Sequence, residues 1–148
     1  MMEKRNKLKD FLFWTILVLL ALVATRVAYV YLYPYTPAII HGAILVSPAV
    51  VNSGDTIYYK VDYEKLMDVP CVVTKTIVNH RLFNFTPTAQ HFPLGRRVFE
   101  KPMNLPHDST GECRIYFVLD FTVSSYPERV VRITKWSEPF MVKRGLDD

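Results

Sequence analysis

Two regimes of hydrophobic patterning divide the chain. From Phe11 to Thr25 fifteen residues pass without a charge, Phe-Leu-Phe-Trp-Thr-Ile-Leu-Val-Leu-Leu-Ala-Leu-Val-Ala-Thr. After Arg26 the apolar character continues through Tyr33 and stops at Pro34. As a helix, residues 11–33 cover about 35 Å at ~1.5 Å per residue, enough to cross the hydrocarbon core of a bilayer. Beyond Ile39 the pattern becomes alternation. In Thr56 to Lys65, Ile57, Tyr59, Val61 and Tyr63 share one face, while Tyr58, Lys60, Asp62 and Glu64 share the other. Arg114 to Val123 repeats this, with Ile115, Phe117, Leu119, Phe121 and Val123 inward and Arg114, Tyr116, Asp120 and Thr122 outward. Such alternation predicts antiparallel strands with one buried face.

Weaker strands are expected at 40–46, 71–79, 81–86, 97–101, 129–135 and 139–143. Turn signals separate them, among them Asn52-Ser53-Gly54-Asp55, Pro93-Leu94-Gly95, the run Pro106 to Gly111, and Ser124-Ser125-Tyr126-Pro127. No helical period follows Pro34. Seven or eight short strands predict an all-β domain, an antiparallel two-sheet sandwich with a small barrel as the alternative. The organisation read from the chain is a basic tail over 1–10, a transmembrane helix over 11–33, a linker over 34–38, the β domain over 39–143 and a C-terminal tail over 144–148.

Order and spacing refine the fold. A first strand is interrupted at Ser47-Pro48, and Val51-Asn52-Ser53-Gly54-Asp55-Thr56 leads into the long second strand. Leu105-Pro106 and Gly111-Glu112-Cys113 precede the long strand from Arg114. These features resemble bacterial and phage immunoglobulin-like modules, so an Ig-like sandwich is the expectation for 39–143. The whole chain is similar to small membrane-anchored proteins of tailed phages and prophages. That likeness implies a setting and no activity.

The charge belongs to the N-terminus. The whole chain carries +4 and a pI near 9.1. Lys4, Arg5, Lys7, Lys9 and Arg26 face only Glu3 and Asp10 before residue 39, whereas the β domain is close to balanced. A nucleic-acid domain needs a basic face to gather phosphates. Here the excess reads as a topology signal, and no nucleic-acid partner is expected. The positive-inside rule puts the N-terminus in the cytoplasm and the C-terminal domain in the periplasm or outside the cell, with the inner (plasma) membrane as location. Trp14 suits the inner interface, and Tyr29, Tyr31, Tyr33 and Tyr35 suit the outer aromatic belt. Arg26 lies about two turns from the outer end, where snorkelling is the ordinary solution and a carboxylate on another membrane helix the functional one. The rival is a signal peptide cleaved after Leu22-Val23-Ala24, giving a soluble exported domain.

Candidate chemistry is sparse. Cys71 and Cys113 would open two neighbouring antiparallel strands at opposite ends, so no disulfide is expected. His41, His80, His91 and His107 are scattered without ligand spacing, and no metal site is expected. His107-Asp108-Ser109 has the letters of a hydrolase triad, but consecutive turn residues cannot supply its geometry. The carboxylates lie singly along strand faces, and no glycine loop for phosphates is present. The expectation is therefore no catalytic residue, no cofactor and no enzyme. The remaining feature is the stretch 79–101, with Arg81, Phe83, Phe85, His91, Phe92, Arg96 and Arg97, aromatics and arginines of the kind enriched in binding hot spots. The ordinary alternative makes the phenylalanines core and the arginines a solvated edge.

The function expected is a non-catalytic, membrane-anchored extracytoplasmic binding or display module, phage-encoded and acting on the host envelope, with the lipid bilayer and an envelope protein as partners. The alternative is a structural subunit that packs its helix into a larger membrane complex.

Overall fold

The computed structural model describes residues 2–144: one helix followed by ten strands. Helix α1 runs Met2–Leu32. It starts well before residue 11, so the segment read as a tail is helical as well. Neither Gly nor Pro interrupts residues 2–10, and Lys, Arg, Leu and Glu are good helix formers. The Tyr33 amide donates to the Tyr29 carbonyl at 3.0 Å, closing the last turn immediately before Pro34, which has no amide to donate. From Lys9 to Tyr29 every residue of α1 is exposed, while Val30 is fully buried. The stretch Lys9–Leu32 is long and apolar enough for a membrane span or a signal sequence.

The strands are β1 (Ala38–Ser47), β2 (Val50–Asn52), β3 (Thr56–Lys65), β4 (Cys71–Val78), β5 (Leu82–Asn84), β6 (Thr88–Gln90), β7 (Gly95–Asn104), β8 (Gly111–Ser125), β9 (Glu128–Trp136) and β10 (Phe140–Lys143). One sheet has the order β1-β3-β7. The other runs β2-β10-β8-β4-β5, with β6 also paired to β4 and β9 to β8. Ten strands thus replace the expected seven or eight. The additions, β2 and β6, are three residues each, too short to show any period. β2 forms where the chain leaves the first sheet after Ser47 and joins the second, pairing in parallel with β10 while β10 pairs antiparallel with β8. β7 is twice as long as the expected 97–101 segment, because it follows β3 in unbroken register from Lys65↔Gly95 to Thr56↔Asn104.

Both sheets contribute to one core. Ile57, Tyr59, Val61 and Tyr63 of β3 meet Val73 and Ile77 of β4 and Ile115, Phe117 and Phe121 of β8. Rings knit the centre: Tyr59 lies 5.1 Å from Phe117, and Tyr63 lies 5.1 Å from Phe92 and 5.5 Å from Phe99. Each aromatic of this kind buries a large area, and edge-on pairs add about 0.5–1.5 kcal/mol beyond burial. The inward face of β3 continues one step further to Lys65, 2% exposed. Two of the buried hydroxyls are also bonded: Ser137 accepts from the Ile115 amide at 2.8 Å, and Ser109 donates to the Pro106 carbonyl at 2.6 Å.

By its internal contacts the chain forms two compact units. One contains α1 together with Ser124–Arg129, the tip of the β8–β9 hairpin; the other holds the remaining β structure.

Candidate functional site

The residues singled out between 79 and 101 do not gather into one patch. Phe92 is buried and packed on Tyr63 and Phe99, while Phe83 and Phe85 are half-buried against the core. The aromatic half of the stretch is therefore core-facing, as expected when hydrophobic rings fall on short strands over an open sheet edge. Arg81 lies in the turn after the Val78 end of β4, and His91 follows β6, which pairs with the Cys71 end. The length of β4 separates them, about 24 Å at ~3.4 Å per residue. Arg96 makes a fork-shaped pair with Asp62, Nε to Oδ1 at 3.1 Å and Nη2 to Oδ2 at 2.7 Å. That guanidinium holds the Asp62 carboxyl below its usual value, through the hydrogen bond and then its charge. Arg97 is exposed, opposite Tyr63 in the ladder. Arg26 is exposed on α1.

Cys71 and Cys113 are free and buried. Cys71 pairs with Phe121 on β8, eight residues along the strand from Cys113, roughly 27 Å at ~3.4 Å per residue. Burial pushes both thiols up, Cys71 to about 12, and a thiol that stays protonated is a poor nucleophile.

The residues that do converge come from four separate segments of the chain. Ser53 from the β2–β3 turn, His80 and Arg81 from the β4–β5 turn, His107, Asp108 and Thr110 from the β7–β8 connection, and Arg144 after β10 line one open polar cleft. Local backbone chemistry builds its walls. The Asp55 amide donates to the Asn52 carbonyl at 3.2 Å, and Asp55 Oδ2 accepts from the Asn52 amide at 3.1 Å, closing the first turn. Gly54 sits in that turn at φ +81°, and a Cβ there would lie 2.5 Å from His107 Nδ1. Gly111 has φ +88°, and its missing Cβ would lie 3.4 Å from His80 Cε1. Each imidazole thus rests against a glycine in the left-handed region, which other L-residues rarely occupy. Asn79 anchors the middle turn, accepting from the Arg81 amide at 2.6 Å and donating to the Thr110 carbonyl at 3.3 Å. The lining carries two guanidinium groups and two imidazoles against one carboxylate. Among the described residues no group of three or more His, Cys, Asp or Glu side chains is placed to hold a metal ion.

A second opening lies between the sheets. Lys75 places its ammonium 5.4 Å from the centre of the Tyr59 ring, and Lys101 lies 5.6 Å from that of Phe99 while donating to Gln90 Oε1. Desolvation, then the charge of Lys101, holds the Lys75 amine below its usual value. Both contacts are those of cations packed on ring faces.

No protein-family model matches the chain, and no curated protein matches it significantly. Among solved structures, the alkylpurine DNA glycosylase AlkC of Pseudomonas fluorescens, bound to DNA containing an abasic site analog, is 16% identical with a TM-score of 0.44; the match covers 74% of this chain and 31% of that one. The CARDB domain of a Pyrococcus furiosus protein, in complex with di-metal ions, is 16% identical with a TM-score of 0.40, over 74% of this chain and 97% of that one. The sporulation control protein Spo0M of Bacillus subtilis is 9% identical with a TM-score of 0.44, over 75% and 51%. The chain spans less than a third of the glycosylase, and similarity at this level carries no chemistry across.

Proposed function

We propose that this chain is a non-catalytic, membrane-anchored display module. In this reading α1 spans the inner (plasma) membrane with its N-terminus in the cytoplasm, and the β domain is an Ig-like sandwich outside it. The observation that carries the reading is the bare apolar surface of α1. From Phe11 through Tyr29 each residue of the helix is exposed. An exposed apolar cylinder of about 30 Å is far larger than a water-soluble monomer leaves uncovered, and lipid chains are the cover that matches its length. The two sheets with a shared core, and the parallel β2–β10 pair beside antiparallel neighbours, support the sandwich assignment.

The surface proposed for display is the polar cleft around His80, Arg81 and His107, where turns converge at one end of the sheets. Arg81 is the member shared with the residues singled out within 79–101. The binding partner is an envelope protein, and the likeness to phage-encoded anchored proteins suggests the host envelope as the setting. Arg26, a cation within the apolar stretch Phe11–Leu32 of α1, favours a second reading in which α1 packs against another membrane helix as part of a larger complex.

Alkaline extraction of membranes tests the anchor: the protein should stay in the pellet with its N-terminal residues intact by mass spectrometry. Release into the supernatant, or an N-terminus beginning after Ala24, would overturn it. Crosslinking in native membranes then separates the two readings. Contacts at Arg81 and His107 support display, and contacts confined to α1 support the subunit.

A further inference from the structure

We propose that the tip of the β8–β9 hairpin, Ser125-Tyr126-Pro127, is a second membrane contact, with Tyr126 seated in the lipid interface beside the outer end of α1. The inference rests on the reading of α1 as a membrane span.

Three hydrogen bonds tie the hairpin to the end of the helix. Arg129 Nη1 donates to the Val30 carbonyl and, at 2.9 Å, to the Tyr33 carbonyl. The Tyr31 hydroxyl donates to the Glu128 carbonyl at 3.3 Å. The last carbonyls of a helix lack intrahelical partners and carry the negative end of its dipole, so a guanidinium is a fitting cap. α1 has no basic residue of its own in its last turn. Arg129 supplies the missing cation from elsewhere in the chain. Val30, the one buried residue among the described side chains of α1, lies at this junction.

These bonds fix the height of the tip. Tyr29, Tyr31 and Tyr33 form the aromatic end of the span, with the Tyr29 and Tyr33 rings 5.2 Å apart. Glu128 and Arg129, which follow the tip directly, are bonded to the same two turns, and the tip carries Tyr126 with 85% of its surface exposed, more than any other large hydrophobic side chain among the described residues. A single exposed aromatic on a soluble surface needs no explanation. One held at the level of a tyrosine belt does, because an apolar ring with a polar hydroxyl is the side chain that favours the headgroup boundary. Two attached points, helix and tip, resist tilting where one does not.

Depth-resolved quenching tests this on the full chain in bilayers of phosphatidylcholine and phosphatidylglycerol. In one variant Trp14→Phe, Trp136→Phe and Tyr126→Trp leave a single tryptophan at the tip. In a second, Trp136→Phe leaves only Trp14, within the span. Lipids brominated near the headgroup should quench the tip tryptophan strongly, with blue-shifted emission, and deeply brominated lipids should quench it less. If Trp14 is quenched while the tip tryptophan keeps full, water-like emission, the tip contact is wrong and the span stands. If neither is quenched, the span fails and the tip contact with it.

Discussion

Lys65 holds its ammonium 3.5 Å from Asp68 Oδ1, with the lysine side chain 1% exposed and the aspartate 69% exposed. The pair is lopsided: a buried cation leans on a solvated anion three residues later. Removing the ammonium while keeping the apolar stem, as in Lys65→Met, should leave stability unchanged or raise it by about 1–2 kcal/mol, because the cost of taking the charge out of water disappears. Asp68→Ala should cost roughly 1 kcal/mol, discounted for the exposure of the carboxylate. Chemical denaturation of the two single variants and the double variant measures both, and a Lys65→Met loss above the Asp68→Ala loss would contradict this account.

The buried thiols should be inert. Neither Cys71 nor Cys113 is expected to react with maleimide at neutral pH until denaturant is added. The raised thiol pKa also has a sign for stability. The folded state keeps the Cys71 proton up to about pH 12, so its contribution is complete below the ordinary thiol range. It is lost as pH climbs from there toward the folded value. Cys71→Ala should remove that share of the alkaline loss, read from thermal melts across the alkaline range.

Gly54 and Gly42 separate crowding from backbone strain. Both have positive φ, +81° and +67°, but only Gly54 faces a neighbour, His107, within contact distance. Gly42→Ala should cost about 1 kcal/mol from strain alone. Gly54→Ala should cost more, and the excess should vanish in a His107→Ala background, as measured by a double-mutant cycle.

Asp62 should titrate below the usual carboxylate range in a carbon-detected NMR titration, returning to it in Arg96→Gln. Because the folded-state pKa is lowered, the stabilisation is present above the unfolded value and lost as pH falls through the folded one. An unchanged midpoint in Arg96→Gln would remove the guanidinium as the cause.

The sequence was most legible where one face is buried along a whole strand. β3 and β8 could be read residue by residue, because a period of two survives over ten or more positions. Lys65 fits the same parity, yet its charge disguised an inward position. β2 and β6 escaped because three residues carry no period, and their existence depends on the partner strand. In 79–101 residues adjacent in sequence are parted by the fold: the rings pack against the core, Arg81 lies by the Val78 end of β4, and Arg96 and Arg97 stand on β7 in the other sheet. The cleft was hidden for the opposite reason. His80 and His107 lie far apart in the chain, and only the return of three turns to one end of the sheets brings them together.

The placement of β10 has a consequence for the order in which the fold can be completed. This strand joins Val50–Asn52 near the start of the β structure to Gly111–Cys113 near its end. While Phe140–Lys143 is still being synthesised, β2 has no partner and the first residues of β8 lack one of theirs. Closing that seam requires contacts distant in sequence, which form late and slowly. The emerging chain therefore passes through a stage in which most strands exist but one sheet is open beside Gly111–Cys113, and Phe140–Lys143 closes it.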